Sequence, residues 1–396
     1  MILRSKINID KILGFPLILI LNFICLLFRR KNVPDKVVIK NILICKFMGM
    51  GSIIQSTPLM MTLKQNHPNA EITFLTVEKN YELLRSFPFV DEILTIEENS
   101  VLRLMLTTLH AFFYLLAKKI DVFIDLEIHS FFSKLFVPLS LAKRRIGFFK
   151  KGSKILSGIY SDMLSFNKSA PIKNVYLEIA ALLGCKLMIE DLFNYINILQ
   201  GDKNSLNQNL WQNLNNKDYI VINPNASELR IERRWSAEDY IHLINQIMDL
   251  YPGINVVLTG SSDEKKYVAG ICKGILKKHR GRIINTSGKL GFTDLIKLIG
   301  QSRFMITNDS GPMHIAFALE KMTIALFGPC SPIMYNNQKN VEFVYKKIHC
   351  SPCVHDYLVS PCRGDNQCMK LIKVAEVIEK VKRIVEKDLT VLLTAY

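Results

Sequence analysis

The residues best suited to chemistry form a run at positions 308–314 (NDSGPMH), directly after a short apolar segment. Pro312 suits the first turn of a helix and Ser310 or Gly311 suits its cap, so the run predicts the start of a helix. The free N–H groups and the positive dipole end of such a helix bind anions, a diphosphate among them. His314, in the same turn, could reach that anion, or it could be a satisfied structural histidine.

Four other predicted strand ends in this half of the chain carry small or polar residues. They lie at 224–227, 260–264, 286–288 and 328–329. Polar strand ends gathered in one domain indicate a nucleotide pocket, because open parallel sheets bind ligands at the carboxyl ends of their strands. Asn225 and Ser227 belong to the first of these ends. Arg233 could place a cation on a phosphate, and Glu264 could accept hydrogen bonds from ribose hydroxyls.

A second loop, in the first half of the chain, contains Gly49, Gly51 and Ser52 after an apolar strand-like run. The two glycines allow a tight turn and a close approach of the backbone to a ligand, and Ser52 could cap the next helix. The loop lacks the full dinucleotide fingerprint and has no phosphate-loop lysine, so by itself it assigns no ligand.

Short β-branched runs alternate with longer helical stretches from residue 37 onward, which predicts parallel sheets with helical crossovers. A polar stretch at 200–216 interrupts the alternation and predicts a domain boundary. We therefore expect an α/β protein with two doubly wound, Rossmann-like domains, 37–205 and 206–396, that face a cleft. The predicted strands are 41–47, 71–77, 92–96, 121–126, 145–149, 219–223, 255–259, 282–285, 304–307 and 323–327.

The first 36 residues form a separate, hydrophobic segment. Residues 12–28 read ILGFPLILILNFICLLF and are followed by Arg29-Arg30-Lys31. This length is at the short limit for a spanning helix, and the basic flank fits a helix that lies in or dips into the cytoplasmic leaflet. The alternative is a hydrophobic helix packed on the first domain. The net charge of +16 also favours an anionic partner. No nucleic-acid-binding motif accompanies it, so a membrane surface is the favoured partner and nucleic acid is not expected.

Four of the nine cysteines cluster in a predicted loop at 349–369, as Cys350, Cys353, Cys362 and Cys368. One Cys-x-x-Cys unit followed by two widely spaced cysteines can bind zinc, but two such units would be stronger evidence. We therefore expect no metal or other cofactor, with zinc as the less favoured alternative. The remaining cysteines are isolated and mostly lie in apolar runs, as reduced core thiols do.

Several of these segments together resemble glycosyltransferase family 9, the lipopolysaccharide heptosyltransferases and their relatives. In the first half the similarity lies in NILICKFMGMGSIIQSTPLMMTLKQNHPNAEITFL and FPFVDEI. In the second half it lies in VINPNAS, RRWS, VVLTGSSDE, NTSGKLGFTDLIKLI, TNDSGPMHIAFAL and TIALFGPCSP, in the family's order. The resemblance covers about residues 40–380 and implies a GT-B fold and a reaction that inverts the anomeric centre. The helix end at 309–314 and Arg233 would meet the charge on the leaving diphosphate, so we expect that no metal is required.

The resemblance also implies which residues meet the substrates. The C-terminal domain would hold a nucleotide-sugar donor, with Asp309, Ser310, Gly311 and His314 at its diphosphate and sugar. Asn308 would belong to the same set. In this family a donor-binding lysine usually occupies the position of Arg233, and a ribose-binding carboxylate that of Glu264. The N-terminal domain would hold the acceptor beside the glycine loop.

One departure from the family concerns the general base. Family members commonly have an aspartate directly after the loop glycine, and here that position is Ser52, a poor base without a partner. A carboxylate appears instead at another strand end, in Asp125-Leu126-Glu127, where relatives often have glutamine at the position of Glu127. We expect Glu127 to be the base with Asp125 in reserve. The alternative is that Glu127 only hydrogen-bonds the acceptor.

The sequence therefore predicts a glycosyltransferase at the cytoplasmic face of the inner membrane. It would move heptose, or another nucleotide-activated sugar, onto a lipid-linked glycan such as a lipopolysaccharide core or a surface polysaccharide. Two other functions remain open: a nucleotide-sugar 2-epimerase of the same fold, and a non-catalytic module that binds sugar nucleotides or lipid.

Overall fold

A computed structural model describes most of the chain. The described residues are 10–27, 38–128, 130–149, 156, 158–187, 211–212, 214, 217–226, 228–335, 340–354, 357 and 360–394. The chain divides into two compact units, Met1–Leu192 (unit 1) and Phe193–Tyr396 (unit 2). The predicted boundary at residue 205 falls outside the described residues.

Unit 1 is built on a six-stranded, wholly parallel sheet whose strand order is β3-β2-β1-β4-β5-β6. The five strands predicted in this half are present, and β6 at the edge was missed because it is short and only partly buried. The strands are β1 (Asn41–Cys45), β2 (Glu71–Val77), β3 (Glu92–Ile96), β4 (Val122–Asp125), β5 (Arg144–Phe149) and β6 (Asp162–Ser165).

In the described part of unit 1, seven α-helices accompany this sheet: α1 (Phe15–Leu27), α2 (Met50–Gln55), α3 (Thr57–Asn66), α4 (Tyr81–Arg85), α5 (Val101–Lys118), α6 (Phe132–Leu139) and α7 (Ile172–Leu182). The hydroxyl of Ser100 caps α5 by accepting from the N–H of Arg103 at 3.2 Å. Right-handed crossovers place α5 and α6 on the same face of the sheet. Helix α1 packs beside α6 on that face, with Ile18 in the hydrophobic core. Thus the packed helix that the sequence left as an alternative is present.

Unit 2 repeats the architecture with a parallel sheet in the order β12-β11-β10-β7-β8-β9. The five predicted strands are confirmed, while β12, a half-buried edge strand, was not predicted. The strands are β7 (Tyr219–Asn223), β8 (Asn255–Leu258), β9 (Ile283–Asn285), β10 (Met305–Asn308), β11 (Thr323–Phe327) and β12 (Val341–Tyr345).

The helices given for the described residues of unit 2 are α8 (Ala237–Leu250), α9 (Lys265–Gly274), α10 (Phe292–Gln301), α11 (Gly311–Ala318), α12 (Gln367–Lys370) and α13 (Val374–Thr394). The core under α8 and α13 contains Trp235 and Tyr240, both fully buried and in edge-to-face contact at 5.1 Å. The expected fold class, two doubly wound α/β domains, is therefore confirmed. A cleft between the domains stays a prediction.

Candidate active sites at the switch point of each sheet

Each sheet has one point where the strand order reverses direction. In unit 1 this point lies between β1 and β4, and in unit 2 it lies between β7 and β10. Open α/β sheets bind ligands in the crevice beyond the carboxyl ends of the strands at such points. Most of the residues that the sequence singled out lie there.

In unit 2, Asn308 ties the two switch-point strands together. Its side-chain oxygen accepts from the N–H of Trp235 at 3.2 Å and from the hydroxyl of Tyr240 at 3.0 Å. Its amide nitrogen donates to the carbonyls of Pro224 and Asn225 at 2.9 and 3.2 Å. The side chain is fully buried, and this geometry gives Asn308 a positioning role. Direct contact of Asn308 with a donor stays a prediction.

Helix α11 begins at this switch point with its first turn uncapped by a side chain. Ser310 precedes it in an extended conformation, but makes no side-chain bond to the first turn. The Ser310 hydroxyl instead accepts from the side-chain amide of Asn223 at 2.8 Å. The N–H groups of Gly311 and Met313 have no acceptor within the helix, and Pro312 has no N–H. The predicted anion-binding helix end is thus present in the fold.

A charged cluster lies beside this helix end. The guanidinium of Arg233 is 3.4 Å from the carboxylate of Asp309, which is almost completely buried. Burial lowers the pKa of Arg233, but Asp309, Cys330 and Tyr335 together raise it above the ordinary value. Burial lowers the pKa of His314 to about 4, and Asp309 opposes that shift only in part. At neutral pH the cluster therefore holds a charged arginine and an uncharged imidazole.

The pH dependence of stability should report the burial of His314. Between its ordinary pKa of 6.5 and its folded value of about 4, the unfolded chain takes up a proton that the folded chain does not. The free energy of unfolding should therefore fall by about 3 kcal/mol on account of His314 as the pH falls from 6.5 to 4. We expect urea unfolding at pH 7 and pH 4 to show a smaller loss for His314→Gln than for the unmodified protein. Equal losses would contradict a buried, neutral His314.

The end of β7 leaves polar atoms ready for a ligand. Asn225 is buried and its amide nitrogen donates to Asn223 and to the carbonyl of Thr259. The side-chain oxygen of Asn225 and the Nε of Arg234 are buried without a hydrogen-bond partner among the described residues. Buried polar groups are usually satisfied, so this donor and this acceptor favour a polar ligand here. Ser227, also predicted at this strand end, lies outside the described residues.

Glu264 is held in place by its neighbours. Its carboxylate accepts from the N–H and the hydroxyl of Ser261 at 2.8 and 3.0 Å, and lies 3.5 Å from Arg234. The guanidinium of Arg234 stacks over the ring of Tyr267, 4.5 Å from its centroid. Glu264 therefore lies at the predicted edge of the pocket, and its ribose contact stays a prediction.

In unit 1, Glu127 is the carboxylate at the switch point. Its Oε1 accepts from the N–H groups of Phe47 and Met48 at 2.8 and 2.7 Å, and its Oε2 lies 3.3 Å from the ammonium of Lys46. Burial would lower the pKa of Lys46, but Glu127 raises it above its ordinary value. Glu127 thus fixes the start of the glycine loop, and its charge is balanced by that of Lys46.

Asp125 lies beneath Glu127. Its carboxylate accepts from the N–H of Glu127 at 2.9 Å and from the hydroxyl of Tyr160 at 2.6 Å. Burial raises the pKa of Asp125, while Lys134 lowers it in part. Asp125 is completely buried, whereas Glu127 is 4% exposed. Of the two predicted bases, only Glu127 therefore has a surface that an acceptor could contact.

The glycine loop takes the conformation that its sequence requires. Gly49 has φ +89°, a left-handed value that favours glycine, and it caps α2. Gly51 is buried in the first turn of α2. Ser52 is hydrogen-bonded to the buried hydroxyl of Tyr176. Gly49, Gly51 and Ser52 therefore lie at the same strand edge as Glu127.

The cysteines of the 349–369 segment approach one another in unit 2. Burial raises the pKa of Cys368 to about 11, and the neighbouring thiols Cys353, Cys362 and Cys350 contribute to its electrostatic surroundings. All four are free thiols. Among the described residues, no group of three or more His, Cys, Asp or Glu side chains is arranged to hold a metal ion. Zinc binding stays the less favoured alternative.

Comparison with known proteins decides the family. The model of glycosyltransferase family 9 (heptosyltransferase) matches residues 110–361, which is more than half of the chain. The chain belongs to glycosyltransferase family 9. This confirms the predicted family and, with it, the predicted class of glycosyltransferases.

Curated relatives and a solved structure agree with that family. This family 9 chain is 29% identical to lipooligosaccharide heptosyltransferase 2 of Campylobacter jejuni, over 43% of the chain and 52% of that protein. It is 22% identical to lipopolysaccharide heptosyltransferase 3 of Escherichia coli, over 85% of the chain and 96% of that protein. It thus spans about half the length of the first relatives. The fold resembles that of E. coli ADP-heptose lipopolysaccharide heptosyltransferase II, with a TM-score of 0.66 and 21% sequence identity. The match covers 88% of this chain and 99% of that structure.

Several residues of the two sites in this family 9 chain were not found from the sequence. Lys46 could have been found, because it is a charged residue directly after a predicted strand. Cys330 was classed as an isolated core thiol, yet it lies beside Arg233 and Asp309. Tyr160, just before β6, and Tyr176, in α7, lie far along the chain from their partners Asp125 and Ser52. No local pattern marks such residues.

Proposed function

We propose that this protein is an inverting, metal-independent glycosyltransferase of the heptosyltransferase type. Its donor is a nucleoside-diphosphate sugar, with ADP-heptose the first candidate, and its acceptor is a lipid-linked glycan such as a lipopolysaccharide core. Membership of family 9 supports the class of reaction. The observation that carries the donor site is the uncapped first turn of α11 beside Arg233 and His314 in unit 2.

The donor diphosphate would occupy the start of α11. The N–H groups of Gly311 and Met313 would hydrogen-bond its oxygens, and Arg233 would neutralise charge on them. His314, neutral at pH 7, would donate one hydrogen bond from its ring. Asn225 and Glu264 would contact the nucleoside. These groups are fixed before the reaction, so they stabilise the charge that grows on the leaving diphosphate without a metal.

The reaction would be a single displacement. Glu127 takes the proton from an acceptor hydroxyl, and the oxygen attacks the anomeric carbon of the donor sugar. The bond from that carbon to the diphosphate oxygen breaks, and the nucleoside diphosphate leaves with the electron pair. Attack opposite the leaving group inverts the anomeric centre. Asp125 and Lys46 would hold Glu127 in position.

Thermal denaturation with nucleoside diphosphates tests the donor site. In buffer with a chelator, saturating ADP should raise the melting temperature, because a ligand that binds only the folded state stabilises it. The melting temperatures with UDP, GDP and CDP in place of ADP then show which nucleobase the site prefers. No shift with any of the four would overturn the donor site. Turnover of ADP-heptose with a lipopolysaccharide acceptor then tests transfer, and donor conversion without any acceptor would instead indicate a 2-epimerase.

A further inference from the structure

Helix α5 presents an apolar face to solvent. The face consists of Leu102, Met105, Leu106, Leu109, Phe113 and Leu116, each at least half exposed. It lies opposite Ala111 and Leu115, which pack in the core of unit 1. A surface helix usually keeps its outer face polar. The outer face of α5 is thus less polar than that of a helix exposed only to water.

Helix α1 has the same property. Its inner side, with Ile18 and Asn22, is buried, while Leu17, Ile20, Phe23, Ile24 and Leu27 are exposed on the other side. The helix contains no charged residue. Helices α1 and α5 both contact α6, so their outer faces belong to one layer on the same face of the sheet.

Polar bonds fix α1 to the domain. The carboxylate of Asp10 accepts from the N–H groups of Phe131 and Phe132, at the start of α6, at 2.9 and 2.7 Å. The side-chain oxygen of Asn22 accepts from the N–H groups of Gly158 and Ile159 at 2.7 and 3.2 Å. These contacts join the helix to two loops of unit 1. A helix held in this way lies along the domain and does not leave it to cross a bilayer.

Helix α5 is also held along the domain. It is 18 residues long and apolar enough to cross a membrane by length and composition. However, it connects β3 to β4, and both strands lie in the same sheet. A spanning orientation would pull its two ends away from that sheet. The arrangement fits a helix lying in the plane of a membrane interface.

Lysines lie at the C-terminal end of α5. Lys40, Lys119 and Lys143, together with the exposed Leu116 and Leu141, line a cavity of about 390 Å³. Among the described residues that line this cavity, the one carboxylate is that of Asp121, which pairs with Lys143 and accepts from backbone N–H groups. Three ammonium groups thus face one carboxylate beside an apolar surface. This combination fits anionic lipid headgroups above acyl chains.

We propose that the outer faces of α1 and α5, with Lys40, Lys119 and Lys143, form a docking surface for an anionic bilayer. The protein lies on one leaflet and does not span the bilayer. The first residues of α5 follow the carboxyl end of β3, on the sheet edge that also carries Glu127 and the glycine loop. The bilayer therefore reaches the edge where the acceptor site is proposed. The proposal itself needs no catalytic activity, because binding is measured without substrates.

Sedimentation with vesicles tests the surface in the full chain. The protein should bind phosphatidylcholine vesicles that contain phosphatidylglycerol more tightly than pure phosphatidylcholine vesicles. Leu106→Glu combined with Phe113→Glu should weaken that binding at least about tenfold, because two large apolar side chains no longer leave water. Lys119→Gln should weaken binding to the anionic vesicles about fivefold. Matched controls in unit 2, Leu250→Glu with Leu276→Glu and Lys277→Gln, should leave binding unchanged.

Four outcomes would overturn the proposal, the last of them retention in a carbonate wash. Unchanged vesicle binding of the α5 variant is the first, and equal losses in the unit 2 controls are the second. The third is an oligomer in analytical ultracentrifugation that Leu106→Glu with Phe113→Glu turns into a monomer, which would make this face a subunit interface. A separate wash of native membranes with alkaline carbonate should release the protein, and retention would show a spanning helix instead. Loss of ADP binding, by contrast, would affect only the proposed function.

Discussion

Replacement of Glu127 by glutamine should lower the turnover number of sugar transfer about 100- to 10,000-fold, the range of a positioned general base. Glutamine keeps the size of the side chain, and its carbonyl oxygen can still accept from Phe47 and Met48 as Oε1 does now. The loop should therefore keep its conformation while the proton acceptor is lost. The measurement is the rate of nucleoside diphosphate release at saturating donor and acceptor.

Two controls separate this effect from a general loss of structure. Glu97→Gln changes a carboxylate just after β3 in the same unit, where Glu97 pairs with Arg103, and it should leave turnover nearly unchanged. The melting temperature of Glu127→Gln, measured with and without ADP, should show the same ADP-induced increase as the unmodified protein. Near-normal turnover of Glu127→Gln would remove the base role and leave Glu127 as the anchor of the glycine loop.

Replacement of Arg233 by methionine should lower kcat about 100- to 1,000-fold, comparable with the loss of one preorganised donor to a developing negative charge. Arg233 is a half-buried cation beside the first turn of α11, and its guanidinium pairs with Asp309. Methionine fills much of the same space but cannot neutralise a diphosphate. The variant should also lose most of the thermal stabilisation by ADP.

Arg233→Lys and Arg303→Met are the matched comparisons. Lysine keeps the charge, and it is also the residue usual in the family at this position, so this variant should recover most of the activity. Arg303 precedes β10 at the opposite edge of the sheet and pairs with Asp218. Arg303→Met should leave kcat unchanged. Equal activity of Arg233→Met and the unmodified protein would place the diphosphate elsewhere.

The two units divide the proposed chemistry by the types of group that they hold. The switch point of unit 2 offers N–H groups, a cation and a neutral imidazole, all of which suit an anion. The switch point of unit 1 offers a carboxylate whose charge is balanced by a lysine, which suits a neutral hydroxyl. In unit 1 Ser52 is hydrogen-bonded to Tyr176. The carboxylate is supplied by Glu127, which follows β4, the strand beside β1.

Local sequence patterns were enough to predict most of the strands and the loops at which the sites are proposed. Apolar runs such as 41–45 and 305–308 predict buried parallel strands because a strand covered on both faces has no polar alternation. Glycine marks the turn at Gly49 because it takes left-handed backbone conformations without strain, and proline marks the helix start at Pro312 because its ring fixes φ near the helical value. Since ligands bind at the carboxyl ends of such strands, the 308–314 run and the glycine loop could be assigned to sites without coordinates.

The partners of each polar side chain, by contrast, depend on contacts between distant parts of the chain. Asn308 is predicted to contact the donor, and both polar atoms of its side chain bind groups that lie about 70 or more positions away in the chain. The pairing of Lys46 with Glu127 and the burial of Asp125 depend on β1 and β4 being neighbours, which no local pattern encodes. The same holds for the outer faces of α1 and α5. Hydrophobicity is visible in sequence, but which side of a helix stays exposed is set by packing against elements far along the chain.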